Sequence, residues 1–584
     1  MTNNYAILKK LWTYLSEFKN QFILLMFLSI ITNILALLGP FLIGKAINII
    51  ITPEHKNLLL FSGALIAIYI LETFISLIQN RKINTITQKS VYKMRKESFV
   101  KFHNFPINYF DNNSSGNILS ILINDIDNIN SSFSLIGTQI ITSILTIFLA
   151  LGIMFFISPF LTTVQLFLFV FAAFYIKKIN LLSREKLRVQ QSFLGKLSGY
   201  TEEILMGQKE VKSFSYENNA IQRFKKLNNI YKLNAIKGQF LLGINYPSIN
   251  FIGNIGYVII ILLGSYSIIK GTITIGGLSS FIIYSKLFNR PIANLSDVFG
   301  IIQSVLVSSE RFFSFVNQKE ENITGNKKIN PETINGEIAF ENVCFSYFNL
   351  DHIKNKNTKN TKNTIENLSF HVKPGEMIAI VGPTGSGKTT LVNLIMRFYE
   401  INSGTIKLDG IDIKEYSKSE YRRLFGMVLQ DTWFFSGTIK ENIAYGNENV
   451  TDDMIIEGAK KACAHDFIIK LPKGYETPIS EENILLSHAQ KQLLAVARAI
   501  VSNPKFLIFD EATSGVDTRT EKKLQDAMKN MIAGRTSFII AHRLSTIRNA
   551  NLILVVNDGK IVEIGKHEEL INKKGLYFTM YNKQ

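Results

Sequence analysis

The sequence predicts a two-domain membrane protein, α-helical in its first half and α/β in its second, on three observations. Its 584 residues exceed what one hydrophobic core organises, so at least two domains are expected. Up to about residue 300 the chain is rich in Ile, Leu, Phe and Asn, in runs long enough to cross a bilayer; beyond about residue 335 it alternates strand-like and helix-like segments. Its cations gather between the apolar runs, where the cytoplasmic loops of a membrane protein carry them.

Six apolar stretches qualify as spans: 22–43, 58–78, 135–157, 160–176, 251–269 and 275–288, the last being the weakest. The inner segments, about 80–134 and 177–246, are basic, polar and poor in helix breakers, so the membrane helices are expected to continue well below the bilayer. The positive-inside bias then places both termini in the cytoplasm. Pro40, Pro159, Pro247 and Pro291 mark kinks or helix ends. The resulting plan is a six-helix transmembrane domain over residues 1–320, a linker at 321–335 and a soluble domain at 336–584.

The net charge of +18 raises nucleic acid as a partner, but no basic face is concentrated in one domain, and no nucleic-acid binding is expected. Cys344 and Cys463 have no CxxC and no histidine cluster beside them, which argues against a disulfide framework or a zinc site. The first apolar run is too long for a signal-peptide core and is read as a retained membrane helix. Glu72 falls near the middle of the second run, where an ionisable group is costly; it either faces a substrate cavity or bonds to a neighbouring helix. Lys286 and Arg290 carry the same ambiguity, or reach water at an interface. The Asn/Lys/Thr-rich stretch 349–367 has no apolar periodicity and reads as an inserted mobile loop.

The soluble half carries the chemistry. "MIAIVGPTGSGKTTLVNLIMRFY" is an apolar strand, a glycine-rich loop and a helix. The loop Gly382, Pro383, Thr384, Gly385, Ser386, Gly387 would surround nucleotide phosphates with backbone N–H groups. Lys388 would reach the terminal phosphates, Thr389 would ligate Mg2+, and Thr390 continues the loop into the helix. "KFLIFDE" is a buried-strand run ending in Asp510, placed for the Mg2+ shell, and Glu511, placed to orient or deprotonate water. "TSFIIAHR" repeats the layout, with His542 at the strand end near a γ-phosphate. Together these define a C-terminal α/β P-loop NTPase domain with ATP and Mg2+ as cofactors.

This soluble domain resembles the ATP-binding domain of ABC transporters, and nearly the whole chain resembles an ABC exporter half-transporter. The resemblance implies that Tyr347 stacks on adenine and that Gln430 touches Mg2+ and faces the membrane domain. It implies further that the loop of Ser514 to Asp517 crosses a dimer interface. Segments 105–129 and 207–224 are similar to the intracellular segments that bear coupling helices, although Ile121 stands where the family usually has arginine. The family signature, Leu-Ser-Gly-Gly-Gln, closes over the ATP held by the other chain of a dimer. Here Ser487 and Gln490 remain while His488 and Ala489 replace the two glycines. That pattern is similar to the glutamate-bearing subunit of bacterial heterodimeric multidrug exporters. It implies a different partner chain with an intact signature, a small hydrophobic or amphipathic substrate, and a multi-pass place in the bacterial plasma membrane. A lipid flippase or peptide exporter, possibly a homodimer, is the alternative, followed by a non-pumping ATP-regulated membrane protein.

Overall fold

The computed structural model describes residues 2–51, 58–321, 325, 327–347, 363–430, 432–447, 449–479, 486–510, 518–541 and 547–582. It divides into two compact units, one of Met1–His103 with Asn113–Gln318, the other of Asn104–Asn112 with Lys319–Gln584. The first ten helices in chain order are α1 (Thr2–Ser16), α2 (Lys19–Ile51), α3 (Leu58–His103), α4 (Ile107–Asn112) and α5 (Ser115–Ser120), then α6 (Ile126–Ile157), α7 (Pro159–Met206), α8 (Gln208–Ser213), α9 (Glu217–Ile269) and α10 (Ile275–Val316). Of these, only α4 lies in the second unit.

Among the described residues α2, α3, α6, α7 and α9 are long and apolar enough to cross a membrane. Helix α10 is not among these five, yet it packs as part of the bundle. Its Leu278, Phe281 and Tyr284 share a core with Leu37, Met154, Leu161 and Ile260. Helices α3, α7, α9 and α10 hold 46, 48, 53 and 42 residues, so at about 1.5 Å per residue they run roughly 60–80 Å, about twice the bilayer core. Pro159 opens α7 behind a Ser158 cap, whereas Pro40, Pro247 and Pro291 lie inside α2, α9 and α10.

Several polar side chains within the bundle bond to one another. Gln79 Nε2 donates to Ser29 Oγ at 2.7 Å, Asn33 Nδ2 donates to the Ser29 carbonyl at 2.8 Å, and Thr146 Oγ1 donates to Asn33 Oδ1 at 2.5 Å. One chain of hydrogen bonds thus joins α3, α2 and α6, where hydrocarbon would leave each group unpaired. Glu72 differs: it is partly buried and makes no hydrogen bond or ion pair among the described residues. Lys286 Nζ sits 4.8 Å from the Tyr257 ring centroid, a cation–π contact in place of a carboxylate. The Arg290 side chain lies outside the described residues.

The second unit opens with β1 (Ile338–Phe345), β2 (Ile365–Val372), β3 (Met377–Val381), α11 (Lys388–Ile395), β4 (Ser403–Leu408), β5 (Ile411–Asp412), α12 (Lys418–Arg423) and β6 (Phe425–Val428). It continues with β7 (Gly437–Thr438), α13 (Ile439–Ala444), α14 (Asp452–Lys461), α15 (His465–Ile468), β8 (Pro478–Ile479), α16 (His488–Val501), β9 (Phe506–Asp510) and α17 (Thr518–Ile532). It ends with β10 (Thr536–Ile540), β11 (Leu552–Asn557), β12 (Lys560–Gly565), α18 (His567–Lys573) and α19 (Leu576–Tyr581).

Six strands form one sheet in the order β12-β11-β3-β10-β9-β6, four form a second in the order β2-β1-β4-β5, and β7 pairs with β8. The six-stranded sheet has a core on each face. Ile378 and Ile380 of β3 face one with Phe506 and Phe538, while Ala379 and Val381 face the other with Leu507 and Phe509. Burial on both faces explains why these strands read as unbroken apolar runs rather than alternating ones. The stretch read as an insertion over 349–367 differs at its end: Ile365 to Asn367 begin β2, and residues 349–362 lie outside those described.

The segment read as a linker is docked on the second unit where it is described. Glu321 accepts from Arg422 Nη1 at 2.9 Å and Nη2 at 2.6 Å, and from Lys418 Nζ at 3.2 Å; its backbone N–H donates to the Asn104 carbonyl at 2.7 Å. Burial alone would raise the Glu321 carboxyl, but the Arg422 fork and Lys418 more than offset it and hold the group below its ordinary value. A depressed carboxyl contributes stability that is full above its unfolded value and lost as pH falls through its folded value. Glu321→Gln is therefore expected to cost about 2 kcal/mol at neutral pH. The gap to wild type should close as pH falls from the ordinary carboxylate range through the lowered folded value of Glu321. Thermal melts across pH check this, and equal melting at neutral pH would remove the clamp.

Candidate nucleotide site

The site grows from the carboxyl ends of neighbouring parallel strands. In the register, Ile380 pairs with Ile540 and Ile540 with Asp510, so β3, β10 and β9 end at one level. The loop that follows β3 therefore meets Asp510 across one intervening strand, the crevice position open α/β sheets use for ligands. Glu511, His542, Ser514 and Asp517 lie outside the described residues.

The loop is built for a ligand that approaches backbone. Gly382 has φ +159°, and a methyl there would lie 2.1 Å from the Val556 carbonyl oxygen. Gly387 has φ +106° and stands at the N-cap of α11, a conformation L side chains rarely adopt. Pro383, Thr384 and Gly385 form an exposed rim; Thr389 is exposed and Thr390 is buried. Lys388 Nζ folds back to donate to the carbonyls of Gly382 at 2.9 Å and Pro383 at 3.0 Å. Ser386 Oγ is buried without a hydrogen-bond partner. A buried hydroxyl with nothing to bond, glycines whose Cβ positions are filled, and a helix N-terminus all fit a phosphate.

On one flank Tyr347 is 37% exposed, enough to offer a ring face, while its hydroxyl donates to Thr390 Oγ1 at 3.1 Å. On another, Gln430 is exposed, and its carbonyl accepts from Gln492 Nε2 at 2.5 Å. Gln492, which the sequence reading missed, is 1% exposed on α16 and also donates to the Leu429 carbonyl at 3.1 Å. The loop that presents Gln430 is thereby tied to the helix that carries Ser487 to Gln490. The available sign was a lone glutamine in "KQLLAVARAIV", on a face otherwise apolar.

The altered signature has two distinct halves. Ser487 caps α16: its Oγ accepts from Gln490 N–H at 3.2 Å, and Gln490 Oε1 accepts from Ser487 N–H at 2.9 Å. This reciprocal box uses the Gln490 N–H and leaves those of His488 and Ala489 without a partner among the described residues. Ala489 is 7% exposed and joins the hydrophobic interior, whereas His488 is exposed. The sequence reading has both side chains intruding where the partner's nucleotide would press. The structure turns the alanine methyl inward and leaves only the imidazole at the surface.

A helical membrane unit fused to an ATP-binding unit with this sheet order defines the class, a transporter that carries its own nucleotide engine. The chain belongs to the ABC transporter family: residues 22–292 match the ABC transporter transmembrane region and residues 365–514 match the ABC transporter family itself. It is 41% identical over 515 residues to a fatty acid ABC transporter ATP-binding/permease protein of Mycobacterium tuberculosis (strain CDC 1551 / Oshkosh), covering 88% of this chain and 80% of that one. It is 34% identical over 590 residues to a putative multidrug export ATP-binding/permease protein of Staphylococcus aureus (strain NCTC 8325 / PS 47), covering 99% and 100%. The solved structure of a bacterial Atm1-family ABC exporter with ATP bound matches with a TM-score of 0.78 at 27% identity, covering 96% and 97%. The chain is thus a multi-pass ABC exporter half-transporter that binds ATP and couples its hydrolysis to transport.

Gly382→Ala pushes a methyl into the backbone carbonyl of Val556 and is expected to weaken ATP binding roughly tenfold or more and to lower the melting temperature. Titration with a fluorescent ATP analogue checks it; unchanged affinity would mean the loop tolerates the displacement.

Proposed function

We propose that the chain is one half of a heterodimeric exporter of small hydrophobic or amphipathic molecules in the bacterial plasma membrane, with both termini and the ATP-binding unit in the cytoplasm. The observation that carries the heterodimer is the exposed His488 at the N-terminus of α16, in a chain whose own phosphate loop, Asp510 and Glu511 are complete. A signature acts on the nucleotide of the other chain, so two copies of this chain would each receive an imidazole where a γ-phosphate needs close N–H groups. A partner with an intact signature would restore the site built from this chain's loop.

In that site the adenine stacks on Tyr347, the loop amides and Lys388 hold the phosphates, and Glu511 orients or deprotonates the attacking water. His542 contacts the γ-phosphate, and the loop of Ser514 to Asp517 crosses to the partner. Mg2+ would be held by Thr389, Asp510 and Gln430, and when bound it would neutralise developing charge on the transferred phosphoryl group. The exposed Thr389 hydroxyl at the start of α11 and the carboxylate at the end of β9 are oxygen donors of the kind such an ion takes. Nucleotide binding closes the paired sites and hydrolysis releases them, switching the cavity between inward- and outward-facing states.

The apolar cargo is supported by a groove of about 400 Å³ in the membrane unit, lined by Leu37, Phe41, Leu149, Ile153, Phe156 and Tyr284. Such a lining suits an alkyl or aryl group. A lipid or fatty acid is the second reading, favoured by the name of the mycobacterial relative.

Two outcomes follow. Purified with its partner, the chain should hydrolyse ATP several-fold faster per chain than alone; equal rates would sink the heterodimer. Glu511→Gln should retain ATP binding and lower turnover by roughly a hundredfold or more, and wild-type ATPase in that variant would remove Glu511 as the base.

A further inference from the structure

Helices α1, α3 and α10 of the membrane unit enclose a cleft of about 760 Å³, separate from the apolar groove and from the nucleotide loop. Four lysines line it, Lys10 from α1 and Lys93, Lys96 and Lys101 from α3, against one acid, Glu97. That acid is already engaged. It accepts from the Tyr14 hydroxyl at 2.7 Å, and burial together with Glu97 pushes the Tyr14 phenol above its ordinary value, so the proton stays on the tyrosine. Lys93 pairs with Glu17, which does not line the cleft, while Lys10 and Lys96 have no carboxylate partner among the described residues.

The floor of the cleft is apolar, made by Tyr14, Val100, Phe313 and Val316. The Tyr14 and Phe313 rings lie with centroids 6.2 Å apart. Two of the ammonium groups sit directly on this floor: Lys10 Nζ is 5.6 Å from the Phe313 centroid and Lys93 Nζ is 5.9 Å from that of Tyr14. Cations and apolar surface therefore adjoin, a pairing that suits an anion with an apolar body. A bare anion would use only the rim. Lys93 lies 15 residues beyond Ile78, where the second apolar run ends, so the cleft begins about 22 Å further along α3. Lipid headgroups extend only roughly 5–8 Å past the hydrocarbon, which favours a soluble ligand over a membrane lipid.

We propose that this cleft binds a soluble organic phosphate, a phosphate ester carrying an aromatic or alkyl body. Lys10 and Lys96 take the phosphate oxygens, and Val100, Phe313 and Val316 cover the body. Bound there, the ligand bridges α1 to α3 and α10.

The test uses the full-length transporter in phosphatidylcholine nanodiscs, with its nucleotide site filled by a non-hydrolysable ATP analogue. Pyridoxal phosphate is the probe: it carries a phosphate on an aromatic body, and its aldehyde condenses with a lysine amine to an imine that borohydride fixes for peptide mass spectrometry. Lys10 and Lys96 should be labelled several-fold faster than Lys9, Lys225 and Lys226, exposed lysines that do not line the cleft. Naphthyl phosphate should suppress that labelling, whereas inorganic phosphate and naphthol at the same concentration should not. Val100→Glu, at a position 53% exposed, sets a carboxylate in the floor and should bring Lys10 down to the rate of Lys9 with melting unchanged. Lys96→Gln should lower the potency of naphthyl phosphate at Lys10 several-fold. Equal labelling of cleft and control lysines, equal competition by inorganic phosphate, or undiminished competition by naphthyl phosphate in both variants would each overturn the proposal. So would loss of labelling when the lipid is exchanged for phosphatidylglycerol, which would assign the cleft to a lipid headgroup instead.

Discussion

A polyphosphate anion can be held tightly only by donors that are already aimed and already stripped of water, and no side chain may stand between them and it. That requirement organises the second unit. Strand β3 is buried on both faces, with Ile378 and Ile380 in one core and Ala379 and Val381 in the other, so its last residue has one position. From there Gly382 turns under the Val556 carbonyl at a distance no Cβ allows, and Gly387 starts α11 with its N–H groups pointing outward. The neighbouring strands serve the same end. Register with β10 and β9 brings Asp510 level with the loop, and Lys388 waits against loop carbonyls that a phosphate oxygen can replace as its partner.

On the proposed assembly the same requirement returns at α16, there for the nucleotide of a partner chain. A helix N-terminus can press on a γ-phosphate only if its cap does not consume the N–H groups it should offer. Here the cap is internal, with Ser487 and Gln490 satisfying each other, so the first turn remains open. Of the two missing glycines, Ala489 turns its methyl into the core and costs the surface nothing, whereas His488 stands exposed. The asymmetry of the proposed assembly therefore reduces to one side chain. Gln492 adds a second consequence, since it ties the Gln430 loop to the same helix, and whatever displaces α16 also displaces Gln430.

Features whose cause is local were legible in the sequence. The phosphate loop, the strand ending at Asp510 and the long helices each carry their reason within a few dozen residues: glycine where backbone must approach, unbroken apolar runs where both faces are buried, breaker-free polar runs where a helix continues. What escaped depends on partners far apart. Gln492 reads as an ordinary helical glutamine until β6 ends beside it, and the segment read as a linker shows no sign of the Arg422 fork that pins Glu321. Nothing in the periodicity of α4 separates it from the membrane helices on either side, because its segment is held by residues far along the chain, Tyr399, Glu320 and Glu321. Even β2 was half hidden, since Ile365 to Asn367 take their strand pairing from β1 and not from their own composition.

Within the membrane unit the polar groups fall into two kinds, and the difference says what the chain lacks. Gln79, Ser29, Asn33 and Thr146 bond to one another, so these neutral groups are satisfied inside one chain. Glu72 has no partner among the described residues, and Lys286 has an aromatic ring in place of an acid. A neutral hydrogen bond left unmade in hydrocarbon costs a few kcal/mol, but an ionised group costs more, and a single chain that neither pairs nor hydrates it would not tolerate it.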